Sequence, residues 1–217
     1  MKSGILLICF WLLTVFGFSQ TLNLRFGPCI STMDWHNTTV IGNIYDKNNI
    51  GINFILGLDY LDFKYFNLST NLGYIQKGGS GSSVNKGNIS PEPYAESEIH
   101  TKLNYITVNT VFEAKIPVME MVIPFIHVGP RLDYLISYSD NVQLFSQFTE
   151  VDELNKTMYG VIGGGGVDFR LSKFKVGLVF DYFWNINKLV DYKAITGATH
   201  QIDIHAFSVN AQVGYTF

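Results

Sequence analysis

The segment HQIDIH at 200–205 sets His200, Asp203 and His205 close together, and imidazole and carboxylate are donors that divalent transition metals accept. It lies at the mouth of a long polar link, where a solvated set of polar side chains is the ordinary occupant. GGGG at 163–166 has no Lys-Ser/Thr after it, so it is not a phosphate-binding loop. Glycines there suit a bend or a close approach of backbones. A rim-active hydrolase would need a Ser–His–acid set. His205 and Ser208 are three apart, which places them on opposite faces of a strand, and no other Ser–His pair stands close in the chain. We therefore expect no catalytic residue, no metal ligand, no cofactor-binding residue and no cofactor.

The remaining charged candidates are Arg25, Asp59, Glu113, Lys115, His127, Arg131, Asp133, Asp168, Arg170, Lys175 and Asp181. All fall on the polar faces of alternating segments. They could line a path for protons or ions. The expectation is a mutually satisfied ion-pair network that plugs a narrow lumen, because buried charges must be partnered.

The elements that must position them read as strands. No stretch after residue 20 has helical period with caps; period-two segments recur instead, at 22–30, 52–60, 66–76, 105–115, 124–136, 159–170, 174–185 and 207–217. Their lengths suit tilted strands crossing a bilayer, about 9–11 residues. Connections alternate: 31–51, 77–104, 137–158 and 186–206 are long and polar, whereas 61–65, 116–123 and 171–173 are short. All long links then fall at one end and all short turns at the other, the layout of an outer-membrane barrel.

The bulky faces support this. Strand residues Ile52, Phe54, Leu56, Leu58 and Tyr60 oppose Asn53, Gly57 and Asp59; Phe174, Val176, Leu178, Phe180, Tyr182 and Trp184 oppose Lys175, Gly177, Asp181 and Asn185. An eight-stranded barrel has an interior just wide enough for side chains, too narrow for the aromatic rows and suited to Gly, Ser and Asn. The predicted fold is all-β: an eight-stranded antiparallel up-and-down transmembrane β-barrel, apolar outside and polar inside. A wide diffusion pore is not expected, since porins need about sixteen strands.

Residues 1–19 read as a signal peptide, with Lys2 ahead of an apolar run from Ile5 to Phe18 and small residues at Gly17 and Ser19. The barrel domain is then 20–217. Removing Lys2 takes the formal charge from −3 to −4, and a chain without a basic patch is no nucleic-acid binder. Only Cys29 remains in the exported chain, so no internal disulfide forms, and its thiol reads as a small packed side chain.

YIQKGG at 74–79, LNY at 103–105, VGP at 128–130 and GYTF at 214–217 resemble the Bacteroidetes-type outer-membrane β-barrel domain, the PorT or "porin family" small barrels. The chain departs from that pattern at Thr107 and Asn109, where Glu and Pro are frequent, and at Asp181, where Arg is frequent. The resemblance implies residence in the outer membrane among its lipids, with Phe217 read by the outer-membrane assembly machinery. The functional expectation is a non-enzymatic barrel whose long external links meet an unidentified ligand or support the membrane. The alternatives are a rim-active hydrolase and a soluble lipocalin-like carrier.

Overall fold

The computed structural model describes residues 20–37, 45–83, 97–116, 118, 121–141, 154–193 and 199–217. The proposed signal peptide and the middles of the long links lie outside these residues. The strands are β1 Thr21–Asn37, β2 Asn49–Asp59, β3 Phe66–Ser83, β4 Ser97–Lys115, β5 Val122–Asp140, β6 Thr157–Leu171, β7 Phe174–Asn185, β8 Val190–Lys193 and β9 Thr199–Thr216. Each pairs with its neighbour antiparallel in the order β1 to β7 and then β9, and β9 pairs back with β1. The expected closed ring of eight is present.

Two expectations about its long-link end are corrected. β8, within the link at 186–206, adds a ninth strand against the start of β9, with Val190 opposite Ile202. The strands also run well past the segments read from the sequence: β3 and β4 pair as far as Ser83 and Ser97, and the last ring strand starts at Thr199 instead of 207.

Two Gly-Pro pairs interrupt the ladder alike. The β1–β9 pairing skips Gly27 and Pro28, and the β4–β5 pairing skips Gly129 and Pro130. Proline has no N–H for the neighbouring strand. A Cβ on the glycine before it would run into backbone, Val209 O for Gly27 and Thr110 O for Gly129. The Pro gap and the close approach come as one unit, which gives VGP at 128–130 a structural reason.

The outward rows are bare. Phe26, Phe54, Leu56, Leu72, Val108, Leu132, Leu178 and Phe180 are each two-fifths or more exposed. Exposed apolar surface on this scale exceeds what a water-soluble monomer shows. The carrier alternative, with these rows turned inward, is thereby overturned.

The interior departs from expectation in one respect. Polar inward residues dominate the short-turn half, where Asn23, Arg25, Asn53, Asp59, Asn67, Asn71, Glu113, Asp168, Lys175, Asp181, Asn210 and Gln212 are buried; nearer the long links Ser31, Asn49 and Thr101 are buried among apolar neighbours. Toward the long-link end the inward residues become apolar on strand after strand. Cys29 and Met33 follow Arg25 on β1, Leu103 and Ile99 follow Tyr105 on β4, and Ile204 and Ile202 precede Ser208 on β9. Tyr45, Leu154 and Leu189, which lie outside the ring strands, join Val190 of β8 in this cluster.

Candidate functional site

Lumen chemistry is organised in layers. At the short-turn mouth Lys115 contacts Asp62 and lies 3.5 Å from Phe63 O, while Arg170 reaches Asp62 at 3.4 Å. Arg170 is largely exposed, so its expected place in the interior is corrected: it caps the mouth from outside. Above it Lys175 Nζ bridges Asp59 (3.0 Å) and Asp168 (3.3 Å), and Gln212 links Asp168 (2.8 Å) to Arg25 (2.5 Å). Beside this layer His127 Nε2 meets Asp181 Oδ1 at 2.7 Å, and Asn210 donates to Asp181 Oδ2 at 2.8 Å.

The uppermost ionic layer meets the apolar cluster. Lys77 Nζ donates to Asp133 Oδ2 at 2.6 Å, and Arg131 Nε lies 3.2 Å from the same oxygen. The Phe183 ring sits 5.1 Å from Lys77 Nζ and 5.0 Å from Arg131 Cζ, and the Tyr105 ring 5.4 Å from Lys77 Nζ. Cation–π contact with two rings is worth most in a desolvated place such as this. Of the interior charges anticipated from sequence, all but Arg170 are buried in this stack. Lys77, within the YIQKGG segment at 74–79, belongs to its uppermost layer. Among the described residues the buried lumen charges are five of each sign, Arg25, Lys77, Lys115, Arg131 and Lys175 against Asp59, Glu113, Asp133, Asp168 and Asp181, with Asp62 added at the mouth beside Lys115.

Above the ionic layers Tyr45 reaches in from the link before β2, its hydroxyl 2.9 Å from Thr101 Oγ1. Burial pushes the Tyr45 phenol up to about 12, so it stays neutral at physiological pH. The rings of Trp35 and Tyr45 stack at 6.5 Å, and His200 lies 6.2 Å from both Trp35 and Tyr192.

HQIDIH does not assemble. His200 faces these rings, whereas His205 faces outward, 3.4 Å from Tyr182 Oη and 3.8 Å from Asp34. Among the described residues no His, Cys, Asp and Glu set is arranged to hold a metal. Ser208 is buried in the lumen and His205 stands on the outer face, as the three-residue spacing requires. In the GGGG run Gly164 has no room for a Cβ beside Phe180 O, whereas Gly163 has only His127 O, 3.8 Å away. Close backbone approach thus explains the first of these two and not the second.

For the hydrolase alternative the sequence set a condition, that His205 or His100 be hydrogen-bonded to an acid beside a serine, and His100 meets it with partners the sequence did not name. β3–β4 register places Ser80 opposite His100, with Ser80 Oγ 3.0 Å from His100 Nδ1, and His100 Nε2 3.1 Å from Glu98 Oε2. Ser80 is buried, whereas His100 and Glu98 stand about half to two-thirds exposed. The pairing spans twenty residues across a long link, and nothing local in the sequence sets that register.

A family described as "Outer membrane protein beta-barrel domain" matches residues 16–191. No curated protein matches the sequence. Among solved structures the chain is similar to the outer membrane protein OprG from Pseudomonas aeruginosa, at 8% identity and a TM-score of 0.54, over 92% of this chain and 96% of that one. Neisserial surface protein A matches at 9% identity and 0.48, over 90% and 97%. Ail, the attachment invasion locus protein of Yersinia pestis, matches at 11% and 0.46, over 92% and 100%.

Proposed function

The chain belongs to the outer membrane protein β-barrel domain family, and from that premise we propose that it is a non-enzymatic, non-conducting barrel of the outer membrane. Its long links face outward, for contact with an extracellular ligand or for structural support of the membrane. The observation that carries this reading is the apolar cluster above the Lys77–Asp133–Arg131 layer. Tyr45, Leu154, Leu189 and Val190, none from a ring strand, share one buried cluster with Met33, Leu103, Ile202 and Ile204; β8 carries the wall on along the β7 edge of β9, since β1 holds the other edge. Leu154 bridges to Val190, Asn155 N donates to Leu189 O (2.9 Å), and Leu189 N donates to Ile202 O (2.9 Å). An apolar constriction of this kind stays dry.

Residues 1–19 direct export and are then removed, and Phe217 is the contact for the assembly machinery. The resemblance of YIQKGG, VGP and GYTF to PorT-type barrels supports a place for the chain beside them within the family. The test is single-channel recording in a planar bilayer: the wild-type protein is silent, and Leu189→Ser with Val190→Ser produces current steps. Steady conductance from the wild type overturns the reading.

A second reading, a rim-active hydrolase, is favoured by the Ser80–His100–Glu98 chain alone. In it Ser80 Oγ would attack an ester carbonyl while His100 takes the proton and Glu98 steadies the imidazolium. Stabilising the resulting oxyanion takes donors aimed at it. The nearest amides are already engaged, Ser80 N with Lys47 O (3.2 Å) and His100 N with Asn141 Oδ1 (2.9 Å). We expect no covalent labelling of the folded protein by a fluorophosphonate. Labelling that disappears in Ser80→Ala would establish the hydrolase instead.

A further inference from the structure

We propose that the lumen is a one-ended water chamber, wetted from the short-turn mouth up to the Lys77–Asp133–Arg131 layer and dry above it. The inference rests on the sealed-lumen reading and adds what fills the sealed half.

The short-turn half holds a concentration of buried polar atoms that the protein leaves unmatched. Both amide atoms of Asn23, Asn53 and Asn67, together with Ser69 Oγ, Asn71 Oδ1 and Glu113 Oε1, have no hydrogen-bond partner among the described residues. All these side chains are buried, and they project into the lumen from β1, β2, β3 and β4. Native proteins rarely leave such groups unpaired, and those that protein does not satisfy are met by ordered water. Glu113 sharpens the point. Among the described residues it has no ion pair within 4.0 Å, yet it lies deep in the wall beside Asn67, its β3 partner. A carboxyl in that position needs solvation.

The chemistry required is that of a small molecule that both donates and accepts. The unmatched groups are mostly uncharged amides with donor and acceptor side by side, which is the pattern water satisfies. Glycines keep the space. A Cβ on Gly57 would strike Asn71 Oδ1 and lie 3.6 Å from Asn23 Cβ, and one on Gly214 would meet Asn23 Oδ1 and, at 3.1 Å, the Lys175 chain. Alanine at either position would collide with an asparagine oxygen and push that amide farther into the lumen. Above the Lys77 layer most of the lining is apolar, with Cys29, Met33, Leu103, Phe183 and Ile204. Of the buried polar residues described there, Ser31 bonds Gly78 O (2.9 Å) and Thr101 bonds Tyr45 (2.9 Å), which leaves Asn49 Nδ2 as a single unmatched atom against the cluster of them below.

The experiment is a depth profile of thiol reactivity toward silver ion, which travels with water and binds thiols. The folded exported protein, residues 20–217, is exposed to silver, quenched and unfolded in detergent, and the surviving thiols are tagged with a maleimide. Native Cys29 reports the dry side without any substitution. In a Cys29→Ser background, Asn23→Cys, Asn53→Cys and Asn71→Cys report the chamber, and Met33→Cys and Ile204→Cys the cluster. Heat-modifiable gel mobility establishes folding for each variant. Chamber thiols are expected to be blocked roughly tenfold faster or more than Cys29 and the cluster thiols, the contrast between a wet and a dry site. Adding Gly57→Ala slows blocking at Asn23→Cys. If chamber and cluster thiols are equally protected, the water chamber is refuted and the sealed lumen stands. If cluster thiols react as fast as chamber thiols, the seal itself fails.

Discussion

Leu56→Arg lowers the stability of the barrel folded in lipid vesicles by about 2–4 kcal/mol, the cost of placing arginine on the lipid face at the bilayer midplane. Leu56 stands on the outer face of β2, nearly half exposed, opposite Leu24 of β1 and Leu72 of β3. These leucines leave arginine no polar partner at that depth. Ile50→Arg, six residues nearer the long-link end of the same row, costs about 0–1 kcal/mol because its guanidinium reaches the interface. Equilibrium unfolding in urea from vesicles, followed by heat-modifiable mobility, measures both. Equal, small costs for the two would mean that the Leu and Phe rows do not meet lipid.

The fold was legible because β periodicity in a membrane wall is strict. A slip of one residue carries a whole row to the wrong face, so Ile52 to Tyr60 and Phe174 to Trp184 declare both the strand and its orientation. The short-turn ends were equally plain, and β7 runs over the residues read for it, Phe174–Asn185. The long-link ends were hidden by an inversion of phase. Near the bilayer the outward residues are apolar and the inward ones polar, as with Val209 and Val213 against Asn210 and Gln212 on β9. Farther along the same strand Ile202 and Ile204 face inward while Asp203 and His205 face out. The wall above the membrane is thus built like a water-soluble barrel.

Read as a single period with a single orientation, that inversion looks like the end of the strand. The same error made the interior seem polar throughout. The signal was present in Met33, Ile99, Leu103, Ile202 and Ile204, each alternating with polar neighbours in regions taken for links or their borders. Ser80 and His100 were a different kind of miss, since the link at 84–96 gives no indication of register.

Asp133→Leu is expected to destabilise the barrel by about 3–5 kcal/mol, the largest effect of any single lumen substitution, because it strands two buried cations at once. Asp133 Oδ2 receives both Lys77 (2.6 Å) and Arg131 (3.2 Å), and all three side chains are almost wholly inaccessible. Lys77→Met costs less, since Asp133 keeps Arg131 and the methionine chain fits between Tyr105 and Phe183, the rings that Lys77 now faces. Replacing all three by Met, Leu and Met returns stability close to wild type or above it, because a buried ion cluster gains from its internal attraction little more than desolvation took away. The same urea experiment ranks the three proteins. Equal losses for Asp133→Leu and Lys77→Met would mean that water screens this layer as freely as the one below it, and the boundary between wet and dry lumen would have to be drawn nearer the long-link end.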